Sequence, residues 1–147
     1  MLVMSNAISI FLVDDDKDDQ KVFKMALSAI NTQVHLSVYN SGKDLLGGLY
    51  KDSKKPDVFF LDLYMSRMDG EECLIEIRKK KELNEIPVVI YSTEYDLTRI
   101  EKLFALGANR YLRKPESFNS LIISIEKTIS SIKRNAYGGA ALINIVA

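Results

Sequence analysis

Hydrophobic positions along the chain fall into short runs that alternate with longer stretches of helical spacing. Ile8-Ser9-Ile10-Phe11-Leu12-Val13 is rich in β-branched and aromatic residues and is stopped by acids, which predicts a buried strand. Beyond Asp14 to Asp19, the residues Val22, Phe23, Ala26, Leu27 and Ile30 recur at helical spacing, with the aspartates where a helix N-terminus favours negative charge. Val34, Leu36 and Val38 alternate with His35, Ser37 and Tyr39, predicting a half-buried strand, and Ser41-Gly42 opens a second helix carrying Leu45, Leu46 and Leu49. Val58-Phe59-Phe60-Leu61 ends at Asp62, and a helix from about Asp69 carries Leu74, Ile77 and the basic end Lys79-Lys80-Lys81. Pro87 introduces the run Val88-Val89-Ile90-Tyr91. A fourth helix from near Tyr95 stops at Gly107, a residue suited to a left-handed C-terminal cap, before the short strand Arg110-Tyr111-Leu112. Phe118, Leu121, Ile122, Ile125, Ile129 and Ile132 mark the inner face of the last helix. Five strands alternating with five helices predict an α/β fold, a doubly wound five-stranded parallel sheet covered on both faces.

Composition narrows the class. At 147 residues, 47% apolar and 27% charged, the chain has the makeup of one globular domain. Residues 1–134 are expected to form it. Residues 135–147 carry no charge and are too few for a second domain, so they are expected either to fray or to pack as a strand or plug through Leu142 to Val146. Twenty basic against twenty acidic residues leave no field to draw in nucleic acid or anionic lipid. The lone Cys73 suits a reducing compartment, and neither a secretory signal nor a membrane span is present, so a cytoplasmic location is expected.

Chemistry is expected at the carboxyl ends of the strands, where doubly wound sheets hold ligands. There the topology gathers Asp14-Asp15-Asp16, Asp62, Ser92-Thr93 and Lys114-Pro115. Taken singly, each has an ordinary explanation as a helix cap, a turn residue or a loop pair. Together, two or more carboxylates near Asp62 would repel by about several kcal/mol unless a cation offset them. Hard oxygen donors without His or Cys point to magnesium, manganese or calcium, and magnesium fits best. A metal beside carboxylates, a hydroxyl and a lysine is a phosphoryl-transfer constellation. Asp62 is the candidate nucleophile, Asp14 and Asp15 the candidate metal holders, and Ser92 and Lys114 the donors to a phosphoryl oxygen. His35, on the second strand, is read as structural.

These residues carry a resemblance. Ile-Phe-Leu-Val-Asp14-Asp15-Asp16, Phe-Leu-Asp62-Leu-Tyr-Met-Ser-Arg-Met-Asp69-Gly70, Ile-Pro-Val-Val-Ile-Tyr-Ser92-Thr93 and Gly107-Ala-Asn-Arg-Tyr111-Leu-Arg-Lys114-Pro115 are similar to the motifs of receiver domains of two-component response regulators, over residues 8 to about 134. Ser92 falls 30 residues and Lys114 52 residues after Asp62, a spacing like the family's. The resemblance implies a flavodoxin-like fold with strand order 2-1-3-4-5, a phosphoryl group accepted on Asp62 from a histidine kinase or histidine phosphotransfer protein, and magnesium as cofactor. It further implies Asp15 as a direct metal ligand, Asp14 as a metal-organising acid and the backbone carbonyl of Tyr64 as another ligand. Ser92 and Tyr111 become a switch pair whose ring turns inward on phosphorylation, Lys114-Pro115 a cis peptide, and helix four, strand five and helix five the readout surface.

Several positions depart from the family pattern. Ser66 stands where proline is usual, so the loop before Asp69-Gly70 is expected to be less rigid, and Glu116 replaces an aromatic, with Phe118 expected to cover the core nearby. Tyr64 and Glu94 occupy positions that tune phosphoryl lifetime in such domains. The expected function is that of a stand-alone regulator and not an enzyme, working through a kinase or phosphotransfer partner, a homodimer formed through helix four, strand five and helix five or through the tail, or a downstream target. Two rivals are an unphosphorylated receiver-like adaptor and a small phosphohydrolase of the haloacid dehalogenase type using Asp14 and Asp16, which would leave Asp62 unexplained. A flavin site is disfavoured because the first loop is acidic.

Overall fold

Alternation along each strand decides which layer of helices a side chain meets. The computed structural model describes residues 7–51, 54–134 and 141–143. Strands β1 (Ile8–Val13), β2 (Val34–Tyr39), β3 (Val58–Asp62), β4 (Val88–Ser92) and β5 (Arg110–Arg113) lie in the order 2-1-3-4-5. Between them run α1 (Lys17–Ser28), α2 (Gly42–Lys51), α3 (Gly70–Lys79) and α4 (Leu97–Ala105), and α5 (Phe118–Arg134) follows β5. A short sixth strand, β6 (Ala141–Ile143), extends the sheet beside β5, and every pairing is parallel. The flavodoxin-like five-stranded expectation is met, and the uncharged tail supplies the addition. Residues 135–140 and 144–147 lie outside the described residues, as do Met1 to Asn6.

Ile10 and Leu12, Val58 and Phe60, Val89 and Tyr91, and Leu112 pack with Phe23, Ala26 and Leu27 of α1 and Leu121, Ile125, Ile129 and Ile132 of α5. Their neighbours Phe11 and Val13, Phe59 and Leu61, Val88 and Ile90, and Tyr111 face Leu45 of α2, Leu74 and Ile77 of α3, and Ile100 and Leu103 of α4. Helices thus cover both faces, and the parity of two continues into the strand ends. Asp14, Asp62 and Lys114 fall on the α1 and α5 side, whereas Ser92 shares the α4 side with Tyr111.

Helix ends follow from local chemistry. Asp16 caps α1 by accepting from Asp18 N–H and Asp19 N–H, and Asp96 caps α4 from Thr98 N–H and Arg99 N–H. Asp69 and Glu72 form a reciprocal capping box at α3. Gly107, at φ 112°, ends the α4 turn in the left-handed region that glycine favours.

Three expectations need correction. Val38 is exposed near the end of the edge strand, and Tyr39 packs instead, its ring 5.2 Å from that of Phe11; just beyond, Asn40 is bonded by the polar Lys17 and Gln20 of α1. Phe118 is also exposed: it is the first residue of α5, at the helix end where the chain enters from the loop after β5, and the buried face begins at Ser120 and Leu121. The Lys114-Pro115 peptide is trans, the isomer an X-Pro bond favours by about 0.5–1 kcal/mol, and no described peptide bond is cis.

Candidate functional site

Strands β1, β3, β4 and β5 deliver the chemical groups at their carboxyl ends, and the right-handed crossovers bring those ends together. The β1 end supplies fully buried Asp14 and exposed Asp15, and the β3 end supplies buried Asp62. One carboxylate oxygen from each of the three lies within 4.8 Å of the others. Such closeness among hard, acceptor-only oxygens fits a divalent cation.

Close approach of α3 makes this geometry possible. Gly70 N–H donates to Leu63 O at 2.9 Å, and a Cβ on Gly70 would stand 2.8 Å from Leu63 Cα and closer still to the Asp62 carbonyl oxygen. Only glycine lets the capped end of α3 sit directly against the end of β3.

Lys114 reaches the cluster from β5. Its Nζ lies 3.4 Å from Asp14 Oδ2, 3.4 Å from Asp62 Oδ1 and 2.8 Å from Asp19 Oδ2, and it stands 4.7 Å from the centre of the Tyr91 ring. One ammonium therefore faces an excess of carboxylate. Burial pushes the Asp62 carboxyl up to about 6, with Asp14 adding repulsion against the pull of Lys114 and a hydrogen bond from Tyr64 N–H. Burial likewise raises Asp14, against the hydrogen bond it accepts from Asp16 N–H and the attraction of Lys114. At pH 7 Asp62 is still mainly ionised and available as a nucleophile.

Across the sheet, Ser92 and Tyr111 are both fully buried. Ser92 Oγ accepts from Glu94 N–H at 3.1 Å, and Tyr111 Oη donates to Glu94 O at 2.6 Å. The ring expected to turn inward on phosphorylation is thus inside in this structure. At the mouth, the half-exposed Tyr64 donates its phenol to the Glu94 carboxylate, which pushes the Tyr64 hydroxyl up to about 12. The two positions read as lifetime-tuning are therefore bonded to each other.

Other groups at the site carry no separate motif. Gln20 Nε2 donates to Asp14 O at 2.5 Å and to Asn40 Oδ1 at 2.8 Å, tying the acidic loop to the end of β2. Ser66 N–H donates to Asp15 Oδ2 at 3.1 Å, a bond that proline at this position could not make. Asp19 shows only as one acid in a run, and its contact with Lys114 depends on how α1 lies over the sheet. His35 is exposed on β2, away from the cluster.

The family model for the response regulator receiver domain matches residues 10–126, and the chain belongs to that family. Response regulator Rcp1 of Synechocystis sp. is 28% identical over 122 residues, covering 80% of this chain and 83% of Rcp1. Among solved structures, the phosphorylated cyanobacterial phytochrome response regulator RcpA superimposes with a TM-score of 0.77 at 28% identity, over 90% of this chain and 97% of that one. The Mn2+-bound form of Rcp1 does so with a TM-score of 0.71 at 26% identity, over 95% of this chain and 99% of that one. Receiver domains are phosphoacceptor signalling modules of two-component systems that interact with histidine kinases or phosphotransfer proteins and bind magnesium at an aspartate cluster, and in this chain Asp14, Asp15 and Asp62 lie close together. Among the described residues no helix is long and apolar enough to cross a membrane.

Proposed function

We propose that this chain is a single-domain response regulator that accepts a phosphoryl group on Asp62 and reports it by altered partner binding. The observation that carries the reading is the gathering of Asp14, Asp15 and Asp62 around one cation-sized space, with Lys114 3.4 Å from the Asp62 carboxylate. Residues 1–134 make up the signalling unit and 135–147 an appended segment. The protein works in the cytoplasm, binds neither nucleic acid nor membrane, and catalyses only its own phosphorylation and dephosphorylation.

Asp62 attacks the phosphorus of a phosphohistidine; the phosphorus–nitrogen bond breaks, an acyl phosphate forms and the leaving imidazole takes up a proton. Asp14, Asp15, Asp62 and the Tyr64 carbonyl hold magnesium, which when bound neutralises charge on the transferring group. Lys114 and Ser92 donate to phosphoryl oxygens. Glu94 O, already held by Tyr111, lies two residues from Ser92, so movement of that hydroxyl is felt by the buried ring. The readout is the surface of α4, β5 and α5. There Tyr95 and Leu97 are exposed, Arg113 stands 5.4 Å over the Tyr95 ring, and Arg99 and Lys102 reach Glu71 of α3 at 3.4 Å. A phosphorylation-dependent homodimer through this surface or through the tail is one output, and binding of a separate target is the other.

Phosphoramidate, a small phosphorus–nitrogen donor, tests the acceptor chemistry: with magnesium it should phosphorylate the native chain and leave Asp62→Asn unmodified. Once the donor is removed, the Tyr64–Glu94 bond over the mouth should slow water. Tyr64→Ala is therefore expected to lose its phosphoryl group about threefold to tenfold faster, as one displaced shielding contact implies. An unchanged decay of the phosphoprotein mass would remove that role from Tyr64.

A further inference from the structure

The shortest ion pair of Lys114 is with neither proposed phosphoryl-site acid: its Nζ is 2.8 Å from Asp19 Oδ2, against 3.4 Å from Asp14 and from Asp62. The reason lies in the first turn of α1. Asp19 is the third helical residue after the Asp16 cap, the position from which an acidic side chain normally folds back to the cap's own N–H. Here that N–H is already donated to Asp14 Oδ1 at 2.9 Å, and Asp19 turns its carboxylate to the lysine. α1 lies on the face of the sheet to which Asp14, Asp62 and Lys114 also point, so the contact needs no distortion.

We propose that Asp19 is a resting-state counter-anchor, a positioning residue whose closer ion pair competes with the acceptor for the Lys114 ammonium and thereby lowers the affinity of the site for a phosphoryl group. The inference rests on Asp62 as acceptor. Phosphorylation turns one negative charge at Asp62 into about two, and the ammonium must move toward the new oxygens. Any group that holds Lys114 better before that movement than after it opposes the phosphorylated state by the difference. With its side chain 43% exposed, Asp19 is partly screened, so its effect is a tuning and not a block.

Beryllofluoride, a phosphoryl mimic, titrated at saturating magnesium reads this directly. Asp19→Asn is expected to bind it about threefold to fivefold more tightly than the native chain, in line with loss of one partly exposed ion pair. Asp19→Ala, which offers no acceptor at all, moves at least as far in the same direction. Asp18→Asn removes the same charge from the same helical turn without touching the lysine's ion pairs and stays within about twofold of native binding. A merely structural role would shift thermal melts with and without beryllofluoride equally, whereas the anchor predicts a larger beryllofluoride-induced shift in the Asp19 variants. Equal or weaker binding by those variants, or an equal gain in Asp18→Asn, would overturn the anchor alone. Failure of the native chain to bind beryllofluoride would strike the reading of the Asp62 site itself and the anchor with it.

Discussion

Asp62→Asn is expected to be more stable than the native chain by about 2–3 kcal/mol at pH 7.5 in the absence of divalent cations, even though it loses the acceptor. Asp62 is 7% exposed, and its carboxyl is pushed up from 3.8 to about 6, first by burial and then by Asp14, against the attraction of Lys114. A carboxyl raised in the folded state favours folding only while it is protonated. That contribution is complete below pH 3.8 and is lost as pH rises through about 6. An asparagine does not ionise and escapes the loss, while Lys114 keeps Asp14 and Asp19 as partners. Urea unfolding in chelator should therefore show the variant ahead at pH 7.5 and the difference closing below about pH 4. Saturating magnesium should narrow the gap at neutral pH, because a cation among the three carboxylates removes the repulsion that Asp62→Asn removes by substitution. A native chain as stable as the variant in chelator at pH 7.5 would mean that the cluster carries no unbalanced charge.

Arg78→Met should do the reverse, with a loss of about 3 kcal/mol of stability and a fall in Tm of about 10 °C, while acceptor chemistry survives in the folded fraction. Arg78 leaves α3 and spreads its guanidinium over four acceptors: Nε to Gly107 O at 3.0 Å, one terminal nitrogen to Leu83 O at 3.1 Å, and the other to Ile86 O at 3.0 Å and Asn109 Oδ1 at 2.9 Å. Asn109 Oδ1 also accepts Val88 N–H at 2.9 Å, so this one side chain joins the α3 exit, the entry to β4 and the turn into β5. Methionine keeps the apolar stem but leaves three carbonyls short of a donor in half-buried positions. Thermal melts measure the loss directly. A variant melting within about 2 °C of the native chain would show that water replaces the guanidinium at little cost.

What could be read in advance divides along physical lines. Strands β1, β3 and β4 are short apolar runs between charged or turn residues, and because both faces are buried, run length alone marks them. Their ends were legible for the same reason: Asp14 and Ser92 are polar residues at the close of apolar runs, as is Asp62, whereas Lys114 follows Arg113 after the short strand β5 and was marked by its place before Pro115. The edge strand β2 was harder. Val38 alternates correctly, but it sits near the end of an edge strand and is exposed, and spacing does not tell which strand lies at the edge. Phe118 likewise has the right spacing for the inner stripe of α5 but is the first residue of that helix, before the buried face begins at Ser120. Asp19, Gln20 and Arg78 were invisible for another reason. Their partners lie as many as 95, 20 and 31 positions away, so the bonds express tertiary placement of ordinary surface residue types. The tail's lack of charge admitted a frayed end or a strand, and its pairing with β5 is a long-range contact that composition does not encode.

The central claim is that Asp62 takes a phosphoryl group with the help of a cation held by Asp14 and Asp15. Intact mass after incubation with acetyl phosphate, in magnesium and in chelator, tests it most directly when followed by peptide mapping of the modified carboxylate. One added phosphoryl group, dependent on magnesium, located on Asp62 and absent from Asp62→Asn, is the predicted result. A native chain that stays unmodified in magnesium, or an adduct that persists in Asp62→Asn, would contradict it.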